Sequence, residues 1–284
     1  MHNYEKETPM YKIIADSSCD LKDLPGVLFE TVPLTISTDE KSFTDDPDLD
    51  VRSVLDYLAS YNGRSYTACP SAQSWLDAFE GADEIYVVTI TSALSGTYDS
   101  ANMARSQYIA KHPETKILVV DSLSTGPGMN MIVEKIAAWK QKGLSFEEIS
   151  AEVIPYQKSL KLFFGLQSLH NLAVNGRINK LIASAIGIMN IRIIGTASAQ
   201  GTIEPIAKCR GDKKVLEKLI EEIKGCGYKG GKIRISHVEN LEFAKQIDAR
   251  LRELFGEIDL SIIPARGRDS YYAERGGIIL GLER

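Results

Sequence analysis

The sequence predicts an α/β fold: an N-terminal parallel-sheet domain over residues 1–157, then a smaller α+β domain with a largely antiparallel sheet over residues 158–284. Two observations predict it. In the first half, short runs rich in Val and Ile alternate with segments whose apolar residues recur at helical spacing, the pattern of parallel strands joined by helical crossovers. In the second half, two β-branched runs flank Gln200-Gly201 and read as a hairpin. At 284 residues, 44% apolar and 25% charged, the chain is long enough for two domains and has a globular composition.

Taken in order, Tyr11–Ala15 reads as a buried strand ending in Asp16-Ser17-Ser18. Leu28–Ile36 reads as a second, with Pro33 marking an edge or a bulge. The acidic stretch Thr44–Asp48 lacks the Gly and Glu of a calcium loop and reads as a solvated turn. Asp50–Ser60 has Val51, Val54, Leu55 and Leu58 on one helical face. Tyr66–Ser71 reads as a turn into a helix carrying Trp75, Leu76 and Phe79, with Ser71 as its N-cap, so Thr67 is not needed for that cap. Glu84–Ile90 is β-branched and too short for a helix. After it Tyr98, Ala101, Ala104 and Tyr108 place a helix start near Ser95–Thr97. The strand Lys116–Val120 ends in Asp121–Gly128 and is followed by a helix with Met129, Ile132, Val133 and Ile136 inward. Ser145–Gln157 is helical, Pro155 marking a bend or its end, and the domain boundary falls there. The second domain reads as strand Leu162–Leu166, helical Leu169–Asn190, hairpin arms Ile191–Thr196 and Thr202–Ala207, and helix Asp212–Lys224. Strand Lys232–Ser236, helix Leu241–Phe255, strand Leu260–Pro264 and strand Gly277–Leu282 follow.

Composition narrows the function. A net charge of -5 without a long basic block gives no reason to expect nucleic acid or an anionic membrane as partner. Cys19, Cys69, Cys209 and Cys226 are scattered, and neither a signal peptide nor an apolar run of spanning length is present, so a soluble cytoplasmic protein is expected. The four histidines lack metal-ligand spacing, no G-x-S-x-G elbow occurs, and Gly225–Lys232 fails the P-loop spacing and leads into a strand. No metal, no cofactor and no catalytic residue is therefore expected.

Three predicted strands end in hydroxyl-bearing turns: Asp16–Ser18, Thr91–Thr97 and Asp121–Gly128. In a parallel sheet, ligands sit at the carboxyl ends of the strands, so these turns should converge on one rim. At Thr91–Ala101 the first helical turn leaves backbone N–H groups unpaired at the positive end of the helix dipole. Ser95 and Thr97 there either cap the helix or turn outward to a ligand anion; a plain N-cap and an anion site look alike in sequence. A rim rich in neutral donors suits holding an anionic head group more than making or breaking bonds.

These residues carry a resemblance. Lys12–Ser17, Thr67-Ala68-Cys69-Pro70-Ser71, Thr91–Tyr98, Val119–Ser122, Gly176-Arg177-Ile178, Asn190–Ile194 and Lys208–Gly211 resemble, in order and spacing, the motifs of the DegV family of bacterial fatty acid-binding proteins. The resemblance spans nearly the whole chain. It implies a long-chain fatty acid in a tunnel between the domains, its carboxylate held by Thr67, by Ser95 and by the Gly96 amide, with Thr97 beside them. It further implies a carrier without turnover of its own, presenting the acyl carboxylate to a fatty acid kinase. Arg177 matches a position near the head group, where a helix-end role bonding carbonyls is the other reading; Arg210 matches one on the partner-facing surface, where a solvated hairpin end is the other. Burying about 15 methylenes at ~0.8 kcal/mol each bounds the tail's contribution at ~12 kcal/mol, so the tail supplies affinity and the head group supplies register.

Two positions depart from the family pattern. Ala68 stands where the T-S-x-P-S turn has Ser, and Tyr271–Gly281 replaces the family's H-T-G-P-G-A-L-G ending, putting Glu274 where the His would be. A Glu facing a carboxylate repels it unless protonated or turned away. The alternative reading is a binder or enzyme for a small polar anionic ligand at the same rim, using Ser95 or Thr97 with Glu274 and Arg275, and it predicts a short polar pocket instead of an apolar tunnel.

Overall fold

The computed structural model describes residues 10–178 and 191–284. The predicted helix Leu169–Asn190 lies partly outside them; within them it is helical only over the short α6, His170–Val174, and the chain turns at Asn175–Gly176, where Gly176 has φ +71°, instead of continuing the helix.

Strands β1 (Tyr11–Asp16), β2 (Phe29–Val32), β6 (Glu84–Thr89) and β7 (Lys116–Asp121) form a parallel sheet in the order β2-β1-β6-β7. Adjacent residues of a strand point to opposite faces, and both faces of this sheet are covered. Ile14, Ile85 and Val87 pack under α2 (Ala72–Phe79) and α3 (Thr97–Lys111) with Trp75, Phe79, Ala101, Ala104 and Tyr108. Ile13, Ala15, Tyr86 and Val88 pack under α4 (Pro127–Gln141) and α5 (Phe146–Ser159) with Met129, Ile132, Ile136, Ile149 and Val153.

The second sheet has six strands in the order β10-β9-β8-β13-β11-β12, comprising β8 (Leu160–Leu166), β9 (Ile191–Ala197), β10 (Ile203–Arg210), β11 (Ile233–His237), β12 (Leu260–Pro264) and β13 (Ile278–Glu283). Only the β11–β12 pair is parallel, as the largely antiparallel expectation requires. One face is covered by α7 (Asp212–Gly225) and α8 (Leu241–Phe255) through Val215, Leu219, Phe243 and Ile247. Helix α4 lies between the two sheets. A Cβ on Gly281 of β13 would sit 3.0 Å from the Pro127 carbonyl carbon and 3.1 Å from the Gly128 amide nitrogen, so any larger residue would push the α4 backbone away by a few tenths of an ångström. Glu134 of α4 ties the layers by accepting from Arg234 Nε at 2.7 Å and Nη2 at 2.8 Å, and from Lys232 Nζ at 2.6 Å.

The structure corrects four sequence expectations. Leu28–Ile36 is not one strand: the chain leaves the parallel sheet after Val32 and re-enters an antiparallel one as β3 (Thr35–Thr38), with β4 (Ser42–Thr44) and β5 (Ser65–Ala68) in the order β4-β3-β5. Pro33 has no N–H to give a ladder, which suits it to the crossing. Thr67 therefore sits on a strand, paired with Ile36, instead of a turn. Of the two readings of Pro155, a bend or the helix end, the second falls, because Pro155 lies inside α5, which runs on to Ser159. Finally, Asp45 is not solvated: it is fully buried and accepts from the amides of Gly267 and Arg268, each at 2.9 Å. Those amides begin α9 (Gly267–Ala273), an element absent from the sequence reading because seven residues are too few to show a period.

Candidate ligand-binding site

The three hydroxyl turns do converge. The Ile90 amide donates to Asp16 Oδ2 at 2.6 Å, the Gly126 amide to the Ser18 carbonyl at 2.7 Å, and the Thr91 amide to the Ser124 carbonyl at 2.9 Å. They divide the labour unequally, however. Asp16, Ser17 and Ser18 are fully buried, and burial pushes the Asp16 carboxyl up to about 6 against the hydrogen bonds from Ile90 and Ser18. This first turn is structural. Thr91, Ser124 and Thr125 instead line a cavity.

That cavity is narrow, with about 60 Å³ of free space for a water-sized sphere. Its far wall is the open face of the six-stranded sheet, through Leu162, Phe164, Leu166 and Ile279, and the lining is predominantly apolar. Tyr272 and Ala273 of α9 close one side. The β9–β10 hairpin closes another: Gly201, at φ +75°, comes so near Thr91 that a Cβ there would lie 2.1 Å from its Oγ1. The walls thus come from both halves of the chain.

At Leu94 the cavity reaches the start of α3. Helices α1 (Val51–Ser60), α2 and α5 carry side-chain caps from Asp50, Ser71 and Ser145. Helix α3 has none, and neither do α4, α6, α7, α8 and α9; Gly96 stands at the N-cap of α3, and Ser95 Oγ lies 2.8 Å from Thr97 Oγ1 instead of on a first-turn amide. The plain-cap reading of Ser95 therefore fails, and no side chain takes the first-turn N–H groups, which are open to water or to a ligand. Ser95 is half-buried, Gly96 exposed and Thr97 buried.

Thr67, Ser95, Gly96 and Thr97 lie beside the cavity, not among the residues that line it. Ser100 Oγ of α3 donates to the Pro70 carbonyl at 2.7 Å, and Gly96 faces Cys69, whose Sγ would be 3.6 Å from a Cβ at residue 96. The segment after β5 is thereby pinned to the α3 start. Thr67 Oγ1 lies 2.8 Å from the hydroxyl of Tyr272, a cavity residue. Arg177 donates through Nε to the Leu94 carbonyl at 3.1 Å and through Nη1 to the Asn175 carbonyl, so it bonds carbonyls and also braces the residue before Ser95. Arg210 is exposed at the end of β10.

Glu274 is held away from this cluster. At φ +55° it ends α9, and its Oε1 accepts from Ser168 Oγ at 2.8 Å and from the Asn171 amide at 3.2 Å, in the first turn of α6. Arg275 pairs with Glu239 at 2.7 Å and with Asp56. Both line a separate, more polar pocket with His170, Asn171 and Tyr271, and neither Ser95 nor Thr97 belongs to it, so the rim of the alternative reading is not brought together. Sequence reasoning missed Tyr271, Tyr272 and Arg268. Their signal was weak: two adjacent aromatics in a stretch with no period.

A family model described as "Uncharacterised protein, DegV family" matches residues 10–268. The chain belongs to the DegV family. A DegV domain-containing protein of Streptococcus pneumoniae is 42% identical over 277 residues, covering 96% of this chain and 99% of that one. Among solved structures, the chain resembles a DegV family protein of Eubacterium eligens loaded with heptadecanoic acid, at 50% identity and a TM-score of 0.95 over 96% of this chain and 99% of that one. It also resembles the Streptococcus pneumoniae Fatty Acid Kinase (Fak) B3 protein loaded with linoleic acid, at 42% identity, a TM-score of 0.95 and the same coverage. The fold expectation, parallel α/β followed by a largely antiparallel α+β part, agrees with these DegV neighbours. Among the described residues no helix is long and apolar enough to cross a membrane.

Proposed function

We propose that the chain binds a long-chain fatty acid between an N-terminal unit, residues 1–157, and a C-terminal unit, residues 158–284, and presents its carboxylate to a partner fatty acid kinase. The observation that carries this reading is the apolar cavity walled by both halves of the chain, which reaches Leu94, two residues before the N-cap of α3. Ser95 and Thr67 supply hydroxyl donors to the carboxylate, the Gly96 amide and the α3 dipole favour its charge, and Thr97 orients Ser95 from 2.8 Å. Arg177 acts by bracing Leu94. Gly96, Ala68 and Cys69 are exposed, which leaves the carboxylate end open to a second protein while the tail is enclosed. That division suits a carrier whose cargo is modified by a partner. The fatty acids named with the Eubacterium eligens and Streptococcus pneumoniae structures support the ligand class, and the kinase named with the latter supports the partner.

The test is mass spectrometry of lipid extracted from the purified protein, followed by uptake of added palmitic acid. A bound long-chain acid and saturable uptake are expected, with Ser95→Ala weakening uptake. Finding no lipid and no uptake would sink the reading.

A further inference from the structure

We propose that Tyr272 is a positioning residue of the head-group site, its phenol donating to Thr67 Oγ1 and thereby fixing the Thr67 proton toward the ligand carboxylate. The inference rests on the fatty-acid reading and adds a residue and a hydrogen-bond direction to it.

The two hydroxyl oxygens lie 2.8 Å apart, and either could donate. A Thr hydroxyl has one proton, and a carboxylate only accepts. Once Thr67 donates to the ligand, it has no proton for Tyr272, so the phenol must be the donor. A donor–donor chain of this kind strengthens each of its members. The ring is held for the task on two sides. The Arg268 guanidinium carbon lies 4.6 Å from its centroid, and the Tyr271 ring meets it edge-on at 4.8 Å. Arg268 is itself fixed by Asp269, whose carboxylate also accepts from Thr125 Oγ1 at 2.8 Å. Tyr272 is buried and lines the cavity, so a single side chain forms tail wall and braces head-group donor. It sets how far along the cavity the carboxylate sits.

The neighbouring residue provides an internal control. Tyr271 OH lies 2.8 Å from Ser65 Oγ, two residues before Thr67 on the same face of β5, but Tyr271, unlike Tyr272, is not among the cavity residues and also accepts from Asn175 Nδ2 at 2.9 Å. Tyr271→Phe and Tyr272→Phe remove the same group from the same helix.

The experiment measures affinity of the full chain for palmitic acid and for methyl palmitate, whose neutral ester gains less from a hydroxyl donor. Tyr272→Phe is expected to weaken palmitic acid by about 2- to 10-fold and the ester by less, shrinking the acid-over-ester preference. In a Thr67→Val background it is expected to change the preference no further, because the phenol acts through Thr67. Tyr271→Phe is expected to keep the wild-type preference. An equal loss for acid and ester, no loss, a loss additive with Thr67→Val, or the same loss of preference in Tyr271→Phe would each overturn the inference alone. A wild-type chain that takes up neither probe overturns the fatty-acid reading, and the inference with it.

Discussion

Replacing Asp45 by Ala tests how the C-terminal half is locked onto the N-terminal half. The carboxylate is fully buried, accepts from the Gly267 and Arg268 amides at 2.9 Å each, and lies 3.8 Å from Arg266 Nε. Burial raises its pKa, while Arg266 and the two amides pull it back down. Hydrogen bonds to a charged group contribute about 1.5–3 kcal/mol each, and removing one partner of a buried ion pair costs about 3–5 kcal/mol because the other charge is stranded. These costs overlap, so a total of about 4 kcal/mol is expected for Asp45→Ala. Asp45→Asn keeps one acceptor for one amide, and about half that loss is expected. Urea unfolding followed by the fluorescence of Trp75 and Trp139 reads the effect. With a slope of about 3 kcal/mol per molar, the midpoint should fall by roughly 1.3 M for Ala and roughly half as much for Asn. An Ala midpoint within about 0.3 M of wild type would refute the reasoning and restore a solvated turn.

Other outcomes follow from the same structure. The Asp16 carboxyl is raised from 3.8 to about 6, so between those values the native state holds a proton that the unfolded state lacks. Stability should rise by about 2 kcal/mol from this group as pH falls from 7 to 4, and Asp16→Asn should flatten that part of the pH profile of the melting temperature; an unchanged profile contradicts the assignment. Lengthening the fatty acid by two methylenes should tighten binding by at most about 15-fold until the cavity is full, as read by competition across a chain-length series; equal affinities throughout would mean the tail is not enclosed. Ser95→Ala should weaken palmitic acid by about 10-fold in the same assay while leaving the melting temperature of the protein nearly unchanged, and an undiminished affinity would remove Ser95 from the site. Gly281→Val should destabilise by at least about 1–3 kcal/mol by calorimetry, since its Cβ meets the backbone of Pro127 and Gly128; a neutral result would mean that α4 and β13 separate easily.

What the sequence by itself determined was everything carried by period and by local chemistry. Residues such as Ile13 and Ile14, buried on opposite faces of one strand, make an unbroken apolar run, and an unbroken run followed by a helical period reads as parallel sheet. Ser71 and Ser145 cap their helices within three residues, and Gln200-Gly201 turns its hairpin, so each was legible from a short window. The hydroxyls at the strand ends, Ser95 among them, were visible for the same reason. Only the tertiary structure decided what those groups face. It separated Ser95 from a plain cap, put Thr67 on a strand beside Tyr272, buried Asp45 under α9 and turned Glu274 toward α6. Each of these pairings except Ser95's joins residues about a hundred or more positions apart. A side chain's local pattern records its own backbone preference, whereas its partner is set by which surfaces the packed sheets bring together, and no short window of sequence contains both.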